Sequence, residues 1–178
     1  MTELAREYGD GLYALCAEEK LDGRALVDLA GLKRIFRQEK DFFRLLSNMS
    51  LSKEERVTIL DNALRGQVHP YLLNFLKILC ERGALYEFEG CESAFRENYN
   101  RDHRVLEAQA TTGAPLDEAQ RTQLIEKLKA MTGREICLTE KVDPAVIGGV
   151  MLEMDGKRYD NTLRGRLKQL KAKMAGED

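Results

Sequence analysis

The 178-residue chain carries 28 Lys and Arg against 30 Asp and Glu, a net charge of −2, with 43% hydrophobic residues and only three prolines. That near-balance argues against a protein built mainly to hold polyanions, which needs a clear basic excess, and the apolar content argues against wholesale disorder. No apolar run approaches the ~20 residues that cross a bilayer, and the opening MTELAREYGDGLYALC has early acidic residues and no apolar core of signal-peptide type.

In chain order, residues 3–18 place Leu4, Tyr8, Leu12 and Leu15 on one helical stripe, with Gly11 beside them and Thr2 as N-cap. Asp22 is expected to cap a second helix, on which Leu26, Leu29, Ala30 and Phe36 recur at helical spacing. A short helix follows around DFFRLLS. Ser52 and Glu55 form a capping box for a fourth, which Gly66 stops. The fifth, from HPYLLNFLKILCERG, starts at Pro70 and exits at Gly83. It is apolar nearly all round, so it is either central to a bundle or half-covered and awaiting a partner. A sixth, roughly 86–101, puts Phe88, Cys91, Phe95 and Tyr99 on one side.

After NRDHR the period changes. RVLEAQATT alternates as a strand, with Leu106, Ala108 and Ala110 on one face. Pro115 and Asp117 open a helix carrying Leu124, Leu128 and Met131, stopped at Gly133. EICLTEKV is a second strand, and Asp155-Gly156 closes a hairpin between GGVMLEM and KRYD. A last helix carries Leu163, Leu167, Leu170 and Met174 as an apolar seam. The reading is α plus α/β: a six-helix bundle over 1–103, then a small strand-helix-strand-hairpin-helix domain over 104–178.

Chemistry is sparse. His69 precedes Pro70 at a helix start and His103 lies at the inferred hinge; neither has metal-ligand companions or a nucleophile at suitable spacing. The four cysteines form no CxxC pair, and their apolar neighbours predict buried free thiols. IGGV lacks the spacing of a phosphate-binding loop and precedes a strand, so Gly148 and Gly149 are expected to serve a close backbone approach. Arg164, Arg166, Lys168, Lys171 and Lys173 make the last helix basic. That leaves a nucleic-acid adaptor as the alternative to a protein-binding module, though no aromatic residues interleave for base stacking.

The tail VDPAVIGGVMLEMDGKRYDNTLRGRLKQLK resembles the C-terminal signature of the delta subunit of bacterial and chloroplast F-type ATP synthases, equivalent to the mitochondrial oligomycin-sensitivity-conferring subunit. The features that carry it are Asp143, Ile147-Gly148-Gly149, Gly156, Asp160 and Arg164-Gly165-Arg166-Leu167 leading to Leu170. REYGDGLYALCAEE and NFLKILCERGAL resemble the family's first and fifth helices. The resemblance implies a non-catalytic stator subunit of a proton-translocating enzyme, with no cofactor and no metal, at the cytoplasmic face of a bacterial cell membrane. Its implied partners are the N-terminal helix of the alpha subunit, the C-terminal ends of the b subunits and the catalytic head, with no nucleic acid and the membrane reached only through the b subunits. In the expected groove for the alpha helix, Leu72, Phe75, Leu76, Ile78 and Leu79 divide between core and groove, with Phe75 and Ile78 the groove positions that the resemblance implies; Tyr8, Gly11, Leu12 and Leu15 supply the other wall or share it with the core. Arg164 and Arg166 are expected to meet the b subunits.

Overall fold

The computed structural model describes residues 1–48, 50–163 and 165. The chain divides into two compact units, Met1–Asp102 and His103–Asp178. The first holds α1 (Glu3–Glu18), α2 (Asp22–Gln38), α3 (Lys40–Leu46), α4 (Lys53–Leu64), α5 (Pro70–Glu81) and, after a 3-10 turn at Leu85–Glu87, α6 (Phe88–Asp102).

The helix ends are set by local chemistry. Thr2 accepts the Ala5 amide at 3.1 Å to begin α1, and Ser52 and Glu55 exchange amide bonds at 3.1 and 2.9 Å to begin α4. His69 begins α5 by accepting the Tyr71 amide through Nδ1 at 3.3 Å. Two helices exit through paired bonds around a left-handed residue. In α1, Leu21 and Lys20 donate back to Cys16 and Ala17, with Lys20 at φ 57°; in α5, Ala84 and Gly83 donate to Leu79 and Cys80, with Gly83 at φ 66°. One expectation fails: Leu21, not Asp22, occupies the N-cap position of α2 and makes no side-chain cap. Asp22 sits inside the first turn, where a carboxylate still favours the positive end of the helix dipole.

One core joins these helices, built on Leu29, Leu32, Leu46, Leu60, Leu72, Leu76, Leu79, Phe88 and Phe95. On α2 the buried stripe is Ala25, Leu29, Leu32 and Phe36, while Ala30 is exposed. Phe36 meets Phe88 edge-on with ring centres 5.0 Å apart. The tightest seam is α1 on α6: a Cβ added at Gly9 would lie 2.5 Å from the Cys91 carbonyl oxygen and 2.6 Å from the Ala94 Cβ. Glycine there lets two backbones approach, at a cost in helix propensity.

Tyr13, packed edge-on against Phe95 at 5.3 Å, donates to Asp102 Oδ2 at 2.8 Å. Burial, with that bond second, pushes its hydroxyl up to about 12. Burial likewise pushes the Cys16 and Cys91 thiols up to about 11. All three hold their protons more tightly folded than unfolded, so the unfolded chain ionises first as pH rises. Their stabilisation is complete below their ordinary pKa values and is lost through about pH 9 to 12. Melting temperatures are therefore expected to fall steadily above about pH 9; a flat profile to pH 11 would contradict these protonation states.

The second unit contains β1 (Val105–Thr112), α7 (Glu118–Thr132), β2 (Glu135–Val142), β3 (Val150–Met154) and β4 (Lys157–Asp160) in a sheet of order β2-β1-β3-β4. β1 and β2 are parallel, as the α7 crossover between them requires; β1–β3 and β3–β4 are antiparallel. Asp117 and Gln120 box the start of α7, and Gly133 at φ 67° ends it. The core is Ala108, Ala110, Leu128 and Leu138, with Leu124, Ile125, Ile136 and Leu152 packed on it.

Two side chains depart from expectation here. Met131 is 76% exposed, because Leu124 and Leu128 with Ile125 already span the α7 face on the sheet. Cys137 is exposed, because it alternates with buried Leu138 and points away from α7. Asp155 and Gly156, at φ 48° and 69°, form the two-residue hairpin turn. Gly148 and Gly149, at φ 64° and 82°, let the chain at Asn161–Leu163 lie against them, Leu163 donating to the Gly148 carbonyl at 3.2 Å. A Cβ on Gly149 would fall 2.3 Å from the Asn161 carbonyl oxygen. These glycines serve chain packing.

Candidate partner-binding groove

Helix α1 carries two apolar arcs side by side. Ala5, Gly9, Leu12, Tyr13 and Cys16 are buried. Leu4, Tyr8, Gly11 and Leu15, at i, i+4, i+7 and i+11, face outward: Leu4 is 37% and Leu15 41% exposed, Gly11 is exposed and Tyr8 half-buried. This second arc is the kind of stripe a helix otherwise buries.

Helix α5 lies against α1. Its opposite flank is taken: Lys77 donates to Asp61 of α4 at 2.5 Å, and the Cys80 thiol reaches the Leu46 carbonyl oxygen at 3.6 Å. Lys77 first, and Arg65 second, hold the Asp61 carboxyl below its ordinary range, so this lock is charged at neutral pH. Helical geometry then turns Phe75 and Leu79 toward α1, with Tyr71 and Ile78 beyond them at the surface. Ile78 is 43% exposed and Tyr71 half-buried.

Of the nine residues expected in the groove, Tyr8, Gly11, Leu15 and Ile78 keep surface. Leu12, Leu72, Phe75, Leu76 and Leu79 are 0–6% exposed. Leu72, Leu76 and Leu79 are withdrawn from the site, because they point into the shared core where no partner can reach. Leu12 and Phe75 belong to the core cluster and keep 6% exposure each. Leu4 and Tyr71 join the site, unforeseen there although Leu4 belongs to the same helical stripe. Arg164 and Arg166, with Leu167, Leu170 and Met174, lie outside the described residues.

Gly11 is unlike Gly9. Nothing lies within 4 Å of the position its Cβ would take, so neither packing nor backbone conformation calls for glycine. Gly11→Ala is expected to stabilise the isolated protein by up to about 1 kcal/mol, whereas Gly9→Ala destabilises it through the α6 clash. Thermal denaturation of the two variants checks the contrast; equal shifts would mean α1 is packed otherwise.

Among the described residues no group of three or more His, Cys, Asp or Glu is placed to hold a metal ion, and no helix is long and apolar enough to cross a membrane. What the first unit offers is exposed apolar surface on α1 beside the exposed Ile78 of the adjoining α5.

Comparison with known proteins accounts for that kind of surface. The sequence profile of the family described as ATP synthase delta (OSCP) subunit matches residues 4–174. ATP synthase subunit delta of Synechococcus elongatus is 28% identical over 175 residues, covering 98% of this chain and 97% of the relative. That of Clostridium kluyveri is 26% identical over 168 residues, covering 94% and 93%. In fold, the chain matches one in the cryo-EM structure of the Toxoplasma gondii mitochondrial ATP synthase hexamer, with a TM-score of 0.74 over 98% of each chain at 16% identity. With a profile match running nearly end to end, this chain belongs to the ATP synthase delta (OSCP) subunit family, the peripheral-stalk subunits of F-type ATP synthases.

Proposed function

We propose that the six helices of the first unit form the domain that grips the catalytic head, by seating the N-terminal helix of an alpha subunit in the groove between α1 and α5. The second unit then engages the C-terminal ends of the b subunits, and the protein itself performs no catalysis. It reaches the cytoplasmic face of a bacterial cell membrane only through those partners. The physical demand is simple. A rotor exerts torque on the head, so the head must be tied to the membrane-anchored stator or it would turn as well. Such a tie must resist dissociation and needs no chemistry.

The observation that carries this reading is the outward arc Leu4–Tyr8–Gly11–Leu15 beside Ile78. An amphipathic helix laid there would remove apolar surface on both partners from water. Burying ~600 Å² of apolar area is worth roughly 15 kcal/mol gross, much of it offset by association and ordering costs. The test is calorimetric titration of the full chain with a synthetic peptide matching the first ~20 residues of the alpha protein from the same genome. One-to-one binding with a negative heat-capacity change supports the groove. Absence of binding by folded protein removes it.

A further inference from the structure

Resting on that groove reading, we infer that the helix seated between α1 and α5 carries Lys or Arg along the edge that runs beside α1, so that charge as well as apolar contact selects it. The apolar arc of α1 has a one-signed rim. Within α1 the acidic residues are Glu3, Glu7, Asp10 and Glu18, and Arg6 is the only cation. Arg6 and Asp10 are turned the other way, toward α6: Arg6 pairs with Glu97 at 3.7 Å, and Asp10 accepts from Asn98 at 2.6 Å. Helical geometry puts Glu7 and Glu18 beside Leu4, Gly11 and Leu15 on the open edge of the arc. Both are exposed, and among the described residues neither has an ion-pair partner.

Folding alone does not favour this placement. Glu18 stands in the last turn of α1, which has no basic residue, where a carboxylate opposes the negative end of the helix dipole. Lys20, just past the helix end, makes no ion pair with it. On the facing wall the charges at the end of α5 are mixed, Glu81 beside Arg82, so the one-signed field belongs to the α1 side. An apolar occupant would fill the arc equally well with any flank. Only a basic flank meets these carboxylates, and like charges there would be repelled.

The experiment repeats the titration at about 50 and about 500 mM NaCl, with wild type and with the surface variant Glu7→Gln/Glu18→Gln. The expected result is affinity falling about tenfold for wild type over that range, and a variant that is several-fold weaker at low salt and insensitive to added salt. Wild-type binding that ignores salt and equals that of the variant overturns the inference while leaving the apolar groove intact. No binding by wild type at either salt concentration removes the groove reading and this inference together.

Discussion

Ile78→Asp is expected to weaken binding of the N-terminal peptide of the alpha protein by roughly a hundredfold or more, the range of a central interface anchor. Ile78 is 43% exposed, so the isolated protein has little to lose by the change. It lies outside the α5 stripe of Leu72, Leu76 and Leu79 that holds the core together. In the complex the same position would bury a carboxylate against an apolar helix, with neighbouring Glu81 adding a like charge. The desolvation cost falls wholly on the bound state. The checks are calorimetric affinity together with a thermal melt. An unchanged affinity would place the partner elsewhere, and a collapsed melt would mean Ile78 is a core residue after all. Leu15→Asp, from the other wall, is expected to behave alike.

Glu92→Ala is expected to have the largest effect on stability, about 3–5 kcal/mol, the range for breaking a buried ion pair from one side. Glu92 is 1% exposed in α6 and accepts from Lys33 Nζ of α2 at 2.5 Å, with Arg96 Nη1 at 3.6 Å on its other oxygen. Removing it strands a largely covered ammonium and opens space between two helices. Replacing both partners by Met, in Lys33→Met/Glu92→Met, is expected to recover most of the loss, because the cost lies in the unpaired charge rather than in the absence of a pair. Urea denaturation of the three proteins decides it. A single variant within about 1 kcal/mol of wild type would mean that water already reaches Lys33.

The outward position of Leu15 and the inward position of Leu12 show where sequence reasoning stops. Both fall on the Leu4–Leu15 stripe, and periodicity assigns them one face. The α1 surface is apolar over a wider arc than the core uses. Which part stays open is decided by the close approach of α6 at Gly9, which rolls α1 toward Cys91 and Ala94. The same holds for α5. Its sequence is apolar nearly all round, and the tertiary contacts of Lys77 with Asp61 and of Cys80 with Leu46 identify the flank that is already covered. Gly11 and Gly9 are two residues apart and indistinguishable by composition, yet one is required by packing and the other lies open. Met131 and Cys137 differ from expectation for a related reason: a face predicted from spacing is wider than the face a neighbour occupies.

Element types and most of their ends are local matters, and the chain alone determined them, the uncapped start of α2 excepted. Apolar period, the caps at Thr2, Ser52 and Asp117, the left-handed exits at Gly83 and Gly133, and the Asp155-Gly156 turn depend on residues within a few positions of one another. Family membership was legible for the same reason, since the tail motif is a contiguous string. Tertiary structure decided which apolar surface is left over. Burial depends on helices distant in sequence, and a residue cannot signal whether its neighbour in space belongs to its own chain or to a partner.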